Sequence, residues 1–467
     1  MIVLLAARGQ EVCPIHIKNK GLQMKKLLLS LLVLSLAVIG AENSDEHVIE
    51  LAEGYKLSYG ADIRARWEAF DRAVLNPDIP ASTHPAMQYL RVRTRAWLAL
   101  DIYDSLTINL RLNNRIHKVS SSPADPNDQD ADTWEAPDEV ILDLANVVYR
   151  FTDSISLTLG RQTVMFGNGM IFSEGTPFDQ GRGSYNDGAM LKIEEKDFYS
   201  LSVFVLYDEW KDRTVFINDR NRRLRSNDTL TGGGYFTIKC TDWLTLDLYK
   251  VFQYIHDKHP RVAERNFAAD TSAIIFTEGF LARLTPLDFL DYSLEAAYQS
   301  GKDDRKDHLQ AYMVDTRLNL KAPQDTFAKP VFGLEYTFFS GDKPGSSKYE
   351  GWVPVFSQCP LWSEELIPIM LDGNWTNLHS FRAALSGTPL PSTNVVFAAT
   401  KYIADERSGL NRSNDGNDMG TLLSAEAAYK FNDHLSFLFQ LSHFNPGDYF
   451  INGHKSFWGR FEVLLTF

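Results

Sequence analysis

The chain has 467 residues, enough for two or three ordinary domains or for one large closed β-barrel, and its 47 basic and 60 acidic side chains leave a net charge of −13. That acidic balance excludes a nucleic-acid binder on bulk grounds. Three cysteines, Cys13, Cys240 and Cys359, without a Cys-x-x-Cys pair, supply neither a disulfide framework nor a zinc site.

The segment from Met24, MKKLLLSLLVLSLAVIGAENSDE, sets two lysines before an apolar run from Leu27 to Ile39, then the small residues Gly40 and Ala41, then an acidic stretch. This is the layout of a secretory signal peptide, and the apolar run is short for a membrane span. Residues 24–41 are therefore expected to be a signal peptide, residues 1–23 a non-native upstream extension, and residues 42–467 the exported part. Removing residues 1–41 takes away Arg8, Lys18, Lys20, Lys25 and Lys26 against the single acid Glu11, so the remainder is more acidic still.

Beyond the signal no stretch shows a clean 3.6-residue period, and period-2 runs recur instead. They cover 55–70, 87–102, 105–117, 139–151, 155–165, 187–195, 198–208, 232–240, 243–254, 276–284, 289–299, 309–320, 329–339, 375–385, 394–402, 421–431, 434–444 and 456–467. Links after the second, fourth, sixth, eighth, tenth and sixteenth runs are a few residues long. Links after most odd-numbered runs are long, among them the acidic segment 120–139. Such alternation belongs to an up-and-down sheet whose rims face different compartments, with short periplasmic turns and long extracellular loops. The hydrophobic content of 44% does not argue against this, because the strands of a transmembrane barrel alternate lipid-facing and water-facing side chains. The short links repeat a phrase, in DIYDSLTINL, VYRFTDSISLTLG, IKCTDWLTLDL and YKFNDHLSFLF, whose Asp104, Asp153, Asp242 and Asp433 each precede an alternating run. These read as tight turns in which Asp caps its own backbone and tolerates turn dihedrals.

The alternation also sorts side chains. In the second run Leu90, Val92, Ala96 and Leu98 share one face, and Arg91, Arg93, Arg95 and Trp97 the other. An arginine on the lipid face at the bilayer midplane costs about 2–4 kcal/mol, so the arginines are expected to face a wet interior. By the same logic Asp62, Arg64, Arg66 and Glu68 of the first run, and Thr107, Asn109, Arg111, Asn113 and Arg115 of the third, point inward. The result is an arginine-dense wall, suited to anions because guanidinium stays charged and forks onto carboxylates; equally, its arginines can brace the barrel by pairing with Asp62, Glu68 and Asp101. Later runs are mixed or acidic inside, with Asp247, Asp291, Glu295, Asp315, Glu335, Glu426 and Glu462 against Arg317, Lys430 and Arg460. A second basic cluster, KDRTVFINDRNRRLR with Arg222 and Arg223, lies in a long link; it either folds into the mouth as a constriction or meets lipopolysaccharide phosphates. The chain closes on FWGRFEVLLTF, where Phe457, Phe461, Val463, Leu465 and the terminal Phe467 share a face, similar to the signal by which the barrel-assembly machinery recognises outer-membrane strands. Aromatics near run ends, Trp67, Tyr103, Tyr149, Phe151, Trp243 and Phe431, suit interfacial girdles.

At LGRQTVMFGNGMIFSEGTPFDQGRGSYNDGAMLKI the sequence resembles the alginate-export family of bacterial outer-membrane proteins, through Gly160, Arg161, Gln162, Gly167, Gly169, Pro177, Asp179, Gln180, Arg182, Asp187 and Gly188. A second matching block has a strand ending in Ser340, Gly341 and Asp342, followed by an aromatic-rich loop with Trp352, Pro354, Phe356, Pro360 and Trp362. The resemblance implies a monomeric eighteen-stranded barrel that carries an anionic polysaccharide outward through an arginine-lined pore, with loops gating its ends and periplasmic export components as partners. The positions it marks for the pore are Arg64, Arg66, Arg91, Arg93, Arg95, Arg111 and Arg161, with Asp179, Arg182 and Asp342 as loop candidates.

No Gly-x-Ser-x-Gly, phosphate loop or His-x-x-x-His pair is present, and His256 and His259 are the tightest histidine pair, in a long link. No cofactor, metal or catalytic residue is expected. The reading is all-β: a closed antiparallel up-and-down transmembrane barrel of about eighteen strands in the outer membrane of a Gram-negative bacterium. It contacts lipid and lipopolysaccharide and conducts anionic sugars or polysaccharide. The alternatives are a general or substrate-specific porin for small solutes and, from a different class, a secreted soluble β-rich glycan-binding protein.

Overall fold

A computed structural model describes residues 47–71, 87–121, 134–135, 140–172, 185–209, 228–256, 272–304, 308–355, 375–407, 416–450 and 455–467. The signal segment, the 211–225 cluster, His259 and the loop candidates Asp179 and Arg182 lie outside the described residues. Eighteen long strands form one antiparallel sheet: β1 Tyr55–Asp71, β2 Met87–Ile102, β3 Leu106–Ser121, β4 Val140–Thr152, β5 Ile155–Gln162, β6 Asn186–Glu195, β7 Tyr199–Asp208, β8 Asp228–Thr241, β9 Leu244–His256, β10 Ala273–Leu287, β11 Leu290–Asp303, β12 His308–Lys321, β13 Val331–Phe339, β14 Leu378–Leu390, β15 Thr393–Ile403, β16 Asp418–Lys430, β17 Leu435–Pro446 and β18 Ser456–Thr466. Three short strands, Val48–Ala52, Trp134–Glu135 and Lys348–Tyr349, pair at its margins. No helix occurs among the described residues.

Each strand pairs with its sequence neighbours, and β18 returns to β1 with Thr466 opposite Asp62 and Phe457 opposite Asp71. The seam is extended by Phe467, whose N–H donates to the Ala61 carbonyl at 2.8 Å while Ala61 N–H donates to the Phe467 carbonyl at 3.1 Å. Closure removes both sheet edges, so no row of backbone donors and acceptors is left open.

Every expected run is a strand, with differences at the ends. β14 extends to Leu390, further than its predicted end: Gly387 and Pro389 interrupt the hydrophobic alternation, and the strand passes them with a register shift between Gly387 and Leu390; the link to β15 is thus the two-residue turn Pro391–Ser392. β8 begins before its three consecutive glycines, Gly232 to Gly234, which carry no periodicity to read.

The turns at the short-link rim correct one expectation. At three of the four corners backbone capping falls to the residue before the recurring Asp: Ser154 N–H donates to Thr152 Oγ1, Trp243 N–H to Thr241 Oγ1, and His434 and Leu435 N–H to Asn432 Oδ1. Aspartate supplies other things. Asp104 takes a φ of 57° and Asp197 one of 65°, left-handed values that Asp tolerates better than most residues. Asp242 and Asp433 pair with the lysine three residues before them, Lys239 at 3.1 Å and Lys430 at 2.6 Å. The Lys430 hydrogen bond and charge hold the Asp433 carboxyl below its usual range.

The outside of the sheet is apolar. Along β7, Ser202, Phe204, Leu206 and Asp208 are buried inward while Val203, Val205 and Tyr207 stand exposed. Exposing such side chains to water forfeits about 1.5–3 kcal/mol each, and the same pattern repeats around the sheet with Leu248, Phe276, Leu334, Phe397, Leu423 and Phe439. Hydrocarbon is the solvent that removes this cost. Tyr103, Tyr149, Phe151, Phe198, Trp243, Phe289 and Phe431 are exposed beside the short-link turns and form an aromatic girdle there.

Candidate functional site: the barrel lumen

The inward face carries the charge. Cross-strand register aligns Arg64 with Arg93 and Arg115, Arg66 with Arg91, Asp62 with Arg95 and Asn113, and Gly60 with Trp97 and Arg111. The side chain of Arg115 lies outside the described residues. Directly opposed like charges destabilise a sheet, and here carboxylates in the same or the adjacent inward row relieve them. Asp62 receives Arg93 at 3.2 Å and Arg95 Nε at 2.7 Å. Glu68 receives Arg460 Nε at 2.8 Å and faces Arg91 at 3.3 Å. Glu462 receives Arg66 at 2.6 Å and Arg64 at 3.7 Å. Three carboxylates on β18 and β1 are thus each shared by two guanidiniums. Arg111 and Asn113 both reach Asp143, and buried Arg93 has no hydrogen-bond partner for Nε or Nη1 among the described residues.

Half a circuit away lies an acidic row. Asp247 of β9, Leu281 of β10, Glu295 of β11 and Asp315 of β12 are in register on the inward face. Their partners are largely local: Tyr235 hydroxyl donates to Asp247 at 2.6 Å, Arg283 pairs with it at 2.7 Å, Tyr249 donates to Glu295 at 3.0 Å, and Arg317 pairs with Asp315 at 2.8 Å. Tyr249 reaches over Gly279, where a Cβ would stand 2.5 Å from its hydroxyl. Next to this row the lumen contains chain. Val164, Met170, Ile171 and Phe172, which follow β5, are buried among inward residues of β7 to β12. Phe166 stacks on Tyr235 with ring centroids 4.5 Å apart.

A second loop piece also enters. Trp352, between β13 and β14, is buried, and Gln299 of β11 holds its neighbour at both ends of the amide: Nε2 donates to the Val353 carbonyl at 2.7 Å and Val353 N–H donates to Oε1 at 3.0 Å. Gln299→Ala is expected to release this piece from the wall and raise single-channel conductance without lowering barrel stability much, which planar-bilayer recording together with heat-modifiable gel mobility checks.

The residues singled out from sequence therefore divide. Arg64, Arg66, Arg91, Arg93, Arg95 and Arg111 come together on one inward wall. Arg161 does not join them: it lies in the row of Ala145 and Asp187, on the face that carries Leu159, where it pairs with Asp187 at 2.8 Å and covers the Tyr185 ring. Asp342 is exposed and braces its own loop by accepting Glu350 N–H at 3.0 Å. Arg222 and Arg223 lie outside the described residues. The inserted pieces around Phe166 and Trp352 carried no periodic signal.

The family model for alginate export matches residues 55–462. The chain belongs to the alginate export family. Among solved structures, this family member is similar to three Pseudomonas aeruginosa proteins. OccK9 (OpdG) has a TM-score of 0.59 at 11% identity over 88% of this chain and 98% of that one; OccK5 (OpdH) has 0.57 at 12% over 90% and 99%; OccD3 (OpdP) has 0.54 at 11% over 91% and 94%. These likenesses share the fold. No curated protein matches the chain. As a member of the alginate export family it is a bacterial outer-membrane channel and not an enzyme.

Proposed function

We propose that this channel conducts anionic sugars, alginate-like uronates among them, along the arginine wall of β1 to β3. The observation that carries the reading is the sharing of Asp62, Glu68 and Glu462 by six guanidiniums, Arg93 with Arg95, Arg91 with Arg460, and Arg64 with Arg66. On these strands positive charge exceeds negative. Exposure agrees: side chains of Arg91, Arg95 and Arg111 are 17–18% exposed, whereas those of Asp247 and Asp315 are 1%. Guanidiniums thus present forked donors to the lumen, and a carboxylate can exchange part of its hydration for them. The fill of the lumen by Phe166 and Trp352 favours short anionic saccharides over a bulky polymer.

The test is the reversal potential of single channels under a potassium chloride gradient. Anion preference is the expected result, and cation preference overturns the reading. Current block by a monomeric uronate, with no block by long polymer from either side, selects the small-solute form.

A further inference from the structure

We propose that the inserted segment Phe166–Met170 sets the sign of charge selectivity, by covering the carboxylate row of β9, β11 and β12 so that the arginine wall alone addresses the permeating solute. The proposal rests on the anion-conducting reading and adds the element that makes a lumen with two charged walls behave as one with a single charged wall.

Without a cover the row, three carboxylates against the two guanidiniums Arg283 and Arg317, is a net negative stripe opposite the arginine wall. Asp247, Glu295 and Asp315 occupy one level on strands within a few positions of each other, and Glu295 stands directly opposite Asp315. Glu295 Oε2 is buried with no hydrogen-bond partner among the described residues. A solute passing such a stripe would meet repulsion from one side and attraction from the other, and a carboxylate-bearing sugar would gain little.

The segment touches both ends of this stripe. At one end Gly167 sits against the Tyr235–Asp247 pair: a Cβ there would stand 2.6 Å from the Tyr235 hydroxyl, 2.8 Å from Leu281 Cδ2 and 3.7 Å from Asp247 Oδ2. Its φ of 54° is in the left-handed region, so glycine meets both the conformation and the close approach. At the other end Met170 Sδ lies 3.7 Å from Arg317 Nη2, the guanidinium that pairs with Asp315. Between them Leu281, the row member flanked by Asp247 and Glu295, has no exposed surface. Phe166 fixes the segment by stacking on Tyr235, which stacks in turn on Tyr249, the donor to Glu295. The rings on which Phe166 rests carry the hydroxyls that bond Asp247 and Glu295 beneath it.

The test compares reversal potentials of the native channel and of Phe166→Ala combined with Met170→Ala, each shown to be folded by heat-modifiable mobility. Loss of the anchors is expected to shift the potential toward cation preference, and adding Glu295→Gln with Asp315→Asn is expected to cancel the shift. A folded anchor variant with native selectivity overturns the proposal, as does a shift that the two neutralising substitutions leave untouched. A second measurement stands if the anchor variant fails to fold. Leu281→Cys, in a chain with Cys13→Ser, Cys240→Ser and Cys359→Ser, is expected to resist a cationic water-soluble thiol reagent, and ready labelling in the otherwise native channel overturns the cover. A cation-selective native channel would instead refute the conduction reading, a different result from any of these.

Discussion

Replacing Arg91, Arg93 and Arg95 together by glutamine is expected to abolish the anion preference proposed for the channel, read as a reversal potential that collapses toward zero or crosses it. Three of the six guanidiniums on the shared-carboxylate ladder are lost, among them Arg91 and Arg95, whose side chains reach the lumen, so the forked donors that a passing carboxylate would meet there are removed. A structural cost accompanies the electrostatic one. Asp62 is 2% exposed and receives both Arg93 and Arg95, and removing the partners of a buried charge costs about 3–5 kcal/mol. Adding Asp62→Asn separates the effects: the fourfold variant is expected to recover most of the lost stability and to stay without anion preference. Selectivity restored by Asp62→Asn alone would mean that net wall charge, and not the forked donors, governs passage.

Arg460→Met is expected to produce the largest stability loss of any single substitution considered. Arg460 is 2% exposed and Glu68 is fully buried; they join β18 to β1 through the Nε bond at 2.8 Å and a second guanidinium contact, and Arg460 Nη1 also donates to Gln440 of β17 at 3.1 Å. The substitution leaves Glu68 facing Arg91 at 3.3 Å from one side only. A penalty of about 3–5 kcal/mol follows for a buried pair broken at one partner. It falls at the seam where the barrel closes, so the compact gel form should be lost at lower temperature than in the native chain. Pairing Arg460→Met with Glu68→Leu should return much of the loss, because replacing both members by apolar groups removes the uncompensated charge. An unchanged unfolding temperature for Arg460→Met would show that the seam is held by backbone pairing alone.

How much of this was written in the sequence depends on whether a feature is local or folded across the lumen. Strands were legible because lipid outside and water inside force alternation on every residue, as in β2, whose bounds at Met87 and Ile102 match the expected run. The inward aim of Arg64, Arg91 and Arg95 followed from the cost of guanidinium in hydrocarbon. Arg161 is instructive because alternation alone puts it on the face of Leu159, where the register places it; the expectation of a lumen position came from a motif resemblance, which carries no parity. The Asp corners were legible as turns, but the capping groups Thr152, Thr241 and Asn432 sit one residue earlier, and the contrast between a side chain that caps and one that accepts a left-handed φ has no sequence signature at that spacing. The inserted pieces were hidden for another reason. Val164 reads as the tail of a strand, and the partners that bury Phe166, Met170 and Trp352 lie on strands far along the chain, so only closure of the cylinder brings them together.

For the proposed conduction of anions, the spacing of the forks along a strand sets the step length. Inward side chains recur every second residue, roughly 6–7 Å along a strand, which is shorter than the distance of about 8 Å over which physiological salt damps a charge. Neighbouring attractions on β1 and β2 therefore overlap, and a migrating carboxylate can take hold of the next fork before it lets go of the last. In the proposed anion-conducting reading such a staircase has low risers, gathering anions from dilute solution without trapping them at any one tread.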